Sequence, residues 1–161
     1  MIILGVDPGL RKTGYGLIEK HTGGYKLIAA DVINLEKIPD IHDRLYHLFV
    51  ELNMLLKQYK PSCVSLEKIF SGKNIRSAFV IGEARAACII SALSHGVKVY
   101  EYATRSVKQG VTGYGGAAKE DVERMVKLIL NFNGKLKEDA SDALALAIFH
   151  GNMSDITLKL Q

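Results

Sequence analysis

The chain opens on an unbroken apolar run, Ile2-Ile3-Leu4-Gly5-Val6, that ends on Asp7 and breaks at Pro8-Gly9. A short apolar run bounded by turn residues reads as a buried strand over 2–7. Weaker alternation predicts a second strand over 13–20. His21-Thr22-Gly23-Gly24 is a turn, and 25–34 a third strand. Their short connections make an antiparallel meander. From Ile41 the period lengthens: Ile41, Leu45, Leu48, Phe49, Leu52, Leu55, Leu56 and Tyr59 fall on one helical face, and Pro61 follows, as expected past a helix end. Cys63-Val64-Ser65-Leu66 predicts a short strand ending at Glu67. A helix over 75–95 closes at Gly96, and a strand follows over 97–101. GVTGYGGAA (110–118) reads as a glycine-rich loop, and helices over 119–132 and 140–151 complete the chain. Three strands, then strands alternating with helices, predict a mixed α/β sheet with helices packed on it.

Composition narrows this further. A length of 161 residues suits one core, and no repeat or linker interrupts it, so one domain over 1–161 is expected. No apolar run reaches the ~18 residues a membrane span needs, and no basic segment precedes an apolar stretch as in a signal peptide. Lys and Arg number 21 against 17 Asp and Glu, a net +4 that favours a polyanionic partner without requiring one. Cys63 and Cys88 lack paired spacing for zinc or a disulfide framework. They read as small buried apolar residues of a reducing, cytoplasmic protein. The five histidines, His21, His42, His47, His95 and His150, are scattered and read as surface or helix-end residues.

The chemistry begins where two strands end in acids. If the strands carrying Asp7 and Glu67 are parallel neighbours, both carboxylates face the crevice at the C-terminal edge of the sheet. Asp139 and Asp142 are three apart and share one face of a helix, whose other face, Ala140, Ala143, Leu144, Ala147 and Ile148, is apolar enough to pack on the sheet. Singly, each acid has a structural reading. Asp7 can cap the Pro8-Gly9 turn, Asp139 and Asp142 can answer a helix dipole, and Glu67 can pair with Lys68 or Lys73. Jointly, four converging carboxylates repel unless a cation lies among them. Oxygen-only ligands select Mg²⁺ or Mn²⁺, and a pair of such ions suits phosphoryl transfer. Basic and aromatic candidates surround the acids: Lys68, Phe70, Lys73, Asn74 and Arg76 after Glu67, then Arg105, Lys108 and Lys119 bracketing the glycine-rich loop. Phe70 precedes Ser71-Gly72, as a loop aromatic that stacks on bases or as one folded under the loop. Lys119 at a helix start opposes the macrodipole, which hints at a role outside the helix.

Taken in order, DPGLRKTGYG (7–16), LEKIF with KNIRSA (66–78), GEAR (82–85), VKQGVTGYG (107–115) with Lys119, and DASDALALAI (139–148) resemble RuvC, the family of bacterial Holliday-junction resolvases. The resemblance runs from Met1 to about Gly151. It implies a ribonuclease-H-like five-stranded mixed sheet with helices on both faces and a homodimer. It implies Mg²⁺-dependent paired cutting of four-way DNA junctions, with two ions per site and 5′-phosphate ends. It also implies partnership with the RuvA–RuvB branch-migration complex. Asp7, Glu67, Asp139 and Asp142 match the family's metal-binding acids, Phe70 its base-contacting aromatic, and Lys108 and Lys119 its lysines near the scissile phosphate. Lys73, Asn74, Arg76 and Arg105 are further DNA-binding candidates. Two positions depart from the pattern. Ala86 stands where GxARG usually ends in glycine, and Glu120-Asp121 bring negative charge beside Lys119. Other readings of the same residues are an actin-type nucleotide-binding ATPase suggested by D-x-G with T-G-Y-G, a non-enzymatic junction-binding module, and another nuclease of the same fold acting on other DNA or RNA.

Overall fold

The computed structural model describes residues 1–68 and 75–159, apart from the side chains of 75–77 and 155–159. The described elements are β1 (Ile2–Asp7), β2 (Lys12–His21), β3 (Gly24–Asn34), α1 (Ile41–Tyr59), β4 (Cys63–Glu67), α2 (Ile75–Ser94), β5 (Lys98–Tyr102), α3 (Thr104–Thr112), α4 (Lys119–Ile129) and α5 (Glu138–Lys159). The strands form one sheet in the order β3-β2-β1-β4-β5. β1 runs antiparallel to β2 and parallel to β4, with β3 and β5 continuing the antiparallel and parallel halves. This is the mixed, ribonuclease-H-like sheet expected from the sequence.

Both faces of the sheet are covered, which explains why β1 is apolar throughout rather than alternating. Ile3 joins Val107, Val122, Leu144 and Ile148 under α3, α4 and α5. Leu4 and Val6 point the other way, into Leu48, Leu52, Leu56 and Ala84 of α1 and α2. α1 begins because Asp40 caps it, accepting hydrogen bonds from the amides of His42 at 2.8 Å and Asp43 at 3.1 Å. It ends at Lys60, left-handed at φ 46°, just before Pro61. Cys63 and Cys88 are free and buried, and burial pushes their thiols up to about 11 and about 12, so both are inert packing residues.

α5 lies unusually close to the sheet, over a lane of glycines. Gly5 and Gly16 face each other across β1 and β2, and Gly14 faces Asp7. A Cβ on Gly5 would meet the Ala143 carbonyl oxygen at 1.9 Å, one on Gly14 the Asp139 carbonyl oxygen at 1.9 Å, and one on Gly16 the Leu144 side chain at 2.6 Å. Ser65 fastens the same helix to β4 by donating its hydroxyl to the Leu146 carbonyl at 2.9 Å. The face Ala140, Ala143, Leu144, Ala147 and Ile148 is buried as expected.

The structure corrects three expectations. The segment 110–118 is not loop throughout: Gly110, Val111 and Thr112 form the last turn of α3, which ends at Gly113 in the left-handed conformation. That helix escapes sequence reading because its N-cap is Ala103, which offers no side-chain bond, and because glycine interrupts it. Gly110 is there because the Phe149 ring occupies the space of a Cβ, 2.3 Å away. Second, α5 is longer than 140–151 at both ends. Third, His150 is neither at the surface nor at a helix end but buried within α5, with Nδ1 2.7 Å from the Tyr102 hydroxyl.

Gly5→Ala forces backbone apart from backbone, and overpacking of that kind costs about 1–3 kcal/mol. The expected outcome is a urea midpoint shifted to lower concentration by that cost divided by an unchanged slope; an unaltered midpoint shows that α5 does not rest on Gly5.

Candidate active site

β1 and β4 are adjacent and parallel, so their C-terminal residues, Asp7 and Glu67, emerge on the same edge of the sheet. α5 starts above that edge. Its pressure on Gly14, the register partner of Asp7, places Asp139 beside Asp7, and Asp142 follows on the same face. Asp7, Glu67 and Asp142 line one cavity of about 240 Å³ with Thr104, Lys108 and Lys119, over an apolar floor of Val107, Val122, Ala145 and Leu146. Asp139 lines a separate cleft with Lys12, Lys137 and Glu138. As they stand, three of the four acids line the cavity and none closes on a point: among the described residues no three form a ready ligand cage.

The electrostatics identify Asp7 as the centre. Burial, and then the charges of Glu67, Asp142 and Asp139, push its carboxyl up to about 8, with Lys119 opposing. Asp142 is raised too, chiefly by burial, with Lys119 opposing and Glu138, Glu67 and Asp139 adding to the rise. Lys119, at the start of α4, gives its ammonium to Glu138; that bond, then the pull of Asp142 and Asp7, holds its pKa above the usual lysine value. Glu138 is correspondingly lowered by Lys119. An all-oxygen acid set, repelling itself around a semi-enclosed cavity, matches a hard divalent cation.

The structural readings of the acids fare differently. The Pro8-Gly9 turn is held by Thr13, whose hydroxyl donates to the Gly9 carbonyl at 2.7 Å and accepts from its amide at 3.1 Å, so Asp7 is not needed as its cap. Glu67 makes no ion pair with Lys68. Its carboxylate accepts the Thr104 hydroxyl instead. The charge of Asp121, beside Lys119 in the sequence, is taken by Arg124 at 3.2 Å.

Of the basic candidates, Lys119 and Lys108 reach the cavity, the latter donating to the Ala117 carbonyl at 2.7 Å. Arg105 does not. It lines a neighbouring cavity of about 870 Å³ with Lys68 and Phe149, and Thr104 lines both cavities. Phe70, Lys73, Asn74 and the Arg76 side chain lie outside the described residues. Thr104 and Glu138 were not legible as site residues. A threonine after a strand and a glutamate before an acidic pair carry no distinctive pattern, although T-x-x-V-K with both ends on one helical turn places Thr104 beside Lys108.

Comparison with known proteins agrees along the whole chain. The family model for crossover junction endodeoxyribonuclease RuvC matches residues 3–150. A protein of that name from Citrifermentans bemidjiense is 45% identical over 158 residues, 97% of this chain and 95% of its own. Another, from Halothermothrix orenii, is 42% identical over 94% of this chain and 93% of its own. The structure of T. thermophilus RuvC in complex with Holliday junction substrate superposes with a TM-score of 0.91 at 29% identity, covering 98% of this chain and 96% of that one.

Asp7 also makes a stability prediction for the metal-free protein. The folded chain holds a proton on Asp7 that the unfolded chain releases, so stability falls as pH rises. The contribution is complete below about 3.8 and is lost as pH rises through about 8. Asp7→Asn in EDTA at pH 8 is therefore expected to raise the thermal midpoint, by roughly 2–4 °C for each kcal/mol relieved, and the gain shrinks toward pH 4. A midpoint lowered by the substitution at pH 8 contradicts the buried, self-repelling cluster.

Proposed function

The chain belongs to the RuvC family of crossover junction endodeoxyribonucleases, and on that premise we propose that the carboxylate cavity at the C-terminal edge of the sheet is where it cuts DNA. The chain is a Holliday-junction resolvase, a hydrolase of phosphodiester bonds, and the observation that carries the location is the half-buried Asp7 sharing one cavity with Glu67 and Asp142, with the charge of Asp139 also acting on it. Asp7, Glu67, Asp139 and Asp142 would together hold two Mg²⁺ ions, with Mn²⁺ as a substitute. Ions bound there supply an activated water and charge stabilisation for the leaving oxygen.

The remaining work falls to the chain. Thr104 fixes the Glu67 carboxylate by donating to it. Lys119 neutralises charge gathering on the phosphate oxygens as the water attacks in line and the 3′-oxygen departs, leaving a 5′-phosphate. Lys108, on the cavity wall, holds the strand beside the cut. Lys73, Asn74, Arg76 and Arg105 extend the path for the phosphate backbone, and Phe70 is assigned the contact with a base. The whole of 1–161 acts as one nuclease domain.

Paired cuts require paired sites, and α2 supplies a surface for pairing. Phe79, Ile90 and Leu93 are 73%, 58% and 59% exposed. With Gly82 and Ala86 between them they run along one stripe of the helix, small residues in the middle allowing close approach. A two-fold dimer through this stripe presents two equivalent cavities to a junction with near two-fold symmetry. The RuvA–RuvB complex is proposed as partner on family membership alone. The free, buried thiols suit the cytoplasm, and among the described residues no helix is long and apolar enough to cross a membrane.

The test uses a labelled immobile four-way junction and a linear duplex, each with and without Mg²⁺. Symmetric paired nicks in the junction alone, only with metal, are expected; equal attack on the duplex refutes the assignment. Asp7→Asn should retain junction binding while cutting falls roughly 10³-fold or more, since ligands acting as a unit are lost together. Ile90→Asp should give a monomer by light scattering that no longer makes coupled cuts.

A further inference from the structure

Lys119 presents a puzzle. It is a long, flexible cation at the mouth of a cavity with three carboxylates on its wall, and Asp7 and Asp142 both attract it. An ammonium that swung inward would neutralise the cluster from within and stand where a metal ion must go. Yet among the described residues its one ion pair is with none of the four cluster acids. It is with a fifth, Glu138, nineteen residues along the chain and outside the cavity.

We propose that Glu138 is a positioning residue that holds Lys119 outboard, keeping its ammonium from occupying the carboxylate cavity in place of the metal. The inference rests on the reading of Asp7, Glu67, Asp139 and Asp142 as metal ligands and adds a function to a residue outside that set. Three features support it. Glu138 is the first residue of α5 and Lys119 the first of α4, and the two helices pack together, so the pair spans two elements whose spacing is fixed. The position of Glu138 at a helix N-terminus favours a standing negative charge there. Both side chains are more than half exposed, 59% for Lys119 and 62% for Glu138. An exposed pair is weak and readily exchanged, so an arriving phosphate oxygen takes the ammonium from Glu138 without a large cost. The lysine thus passes from carboxylate to phosphate along the rim and never through the interior.

The test is Mn²⁺ binding by calorimetry on the full-length protein without DNA, across four forms: the unchanged chain, Glu138→Gln, Lys119→Met and the double variant. Both positions are exposed, and thermal midpoints verify that each form folds. Glu138→Gln is expected to weaken Mn²⁺ binding by at least about threefold, on the scale of coupling between neighbouring side chains. In the Lys119→Met background the same substitution should change affinity by less than about twofold, because no ammonium remains to restrain. An equal loss in both backgrounds means that Glu138 acts by its own charge or as a ligand, and overturns the proposal. So does unchanged affinity in Glu138→Gln. If the unchanged chain binds no Mn²⁺ at all, the metal-site reading itself falls, and the inference with it.

Discussion

The structure depends on how closely one helix can approach one pair of strands. At Gly5 and Gly14 the backbone of α5 lies against strand backbone, and at Gly16 the Leu144 side chain lies directly on the strand. Ordinary helix-on-sheet packing, separated by side chains on both surfaces, would lift Asp139 and Asp142 away from Asp7. The glycines therefore do in packing what the acids need in electrostatics. The register matters as much as composition: Gly14 is the partner of Asp7 itself, so the tightest contact lies beside the most perturbed carboxyl.

That closeness carries a cost in the absence of a counter-ion. Carboxylates gathered in a half-buried cavity disfavour one another's charge, and Asp7, held up to about 8, bears most of the effect. The surrounding cations do not cancel it. Lys119 pairs with Glu138 and Lys108 with a backbone carbonyl. The site keeps an excess of negative charge, in keeping with the proposed metal site, and Lys108 and Lys119 border it without pairing with its acids.

Much of this was legible in the sequence. The continuous apolar run of β1, the helical period of α1 and the strand-end acids Asp7 and Glu67 are strong local signals, and short connections give the antiparallel meander; that β1 and β4 are parallel neighbours was only a condition in the sequence and is supplied by the structure. What escaped was information held between elements. Gly5, Gly14 and Gly16 look like unremarkable strand glycines until α5 lies on them. α3 has a poor cap and an internal glycine, and only the packing of Val107, Val111 and Phe149 makes it a helix. Thr104 and Glu138 matter through partners 37 and 19 residues distant, which no local pattern announces. The burial of His150 is not announced either, because its partner Tyr102 stands 48 residues earlier, on β5.

The order of elements along the polypeptide has a further consequence. Asp7 ends β1 and Glu67 ends β4, while Asp139 and Asp142 belong to α5, which comes after every strand of the sheet. The hairpins of β1, β2 and β3 are local and can pair early, but nothing upstream of α5 completes the cluster. A chain with its strands paired but α5 undocked thus holds only Asp7 and Glu67 of the four acids, and the proposed site is assembled by the docking of that one helix.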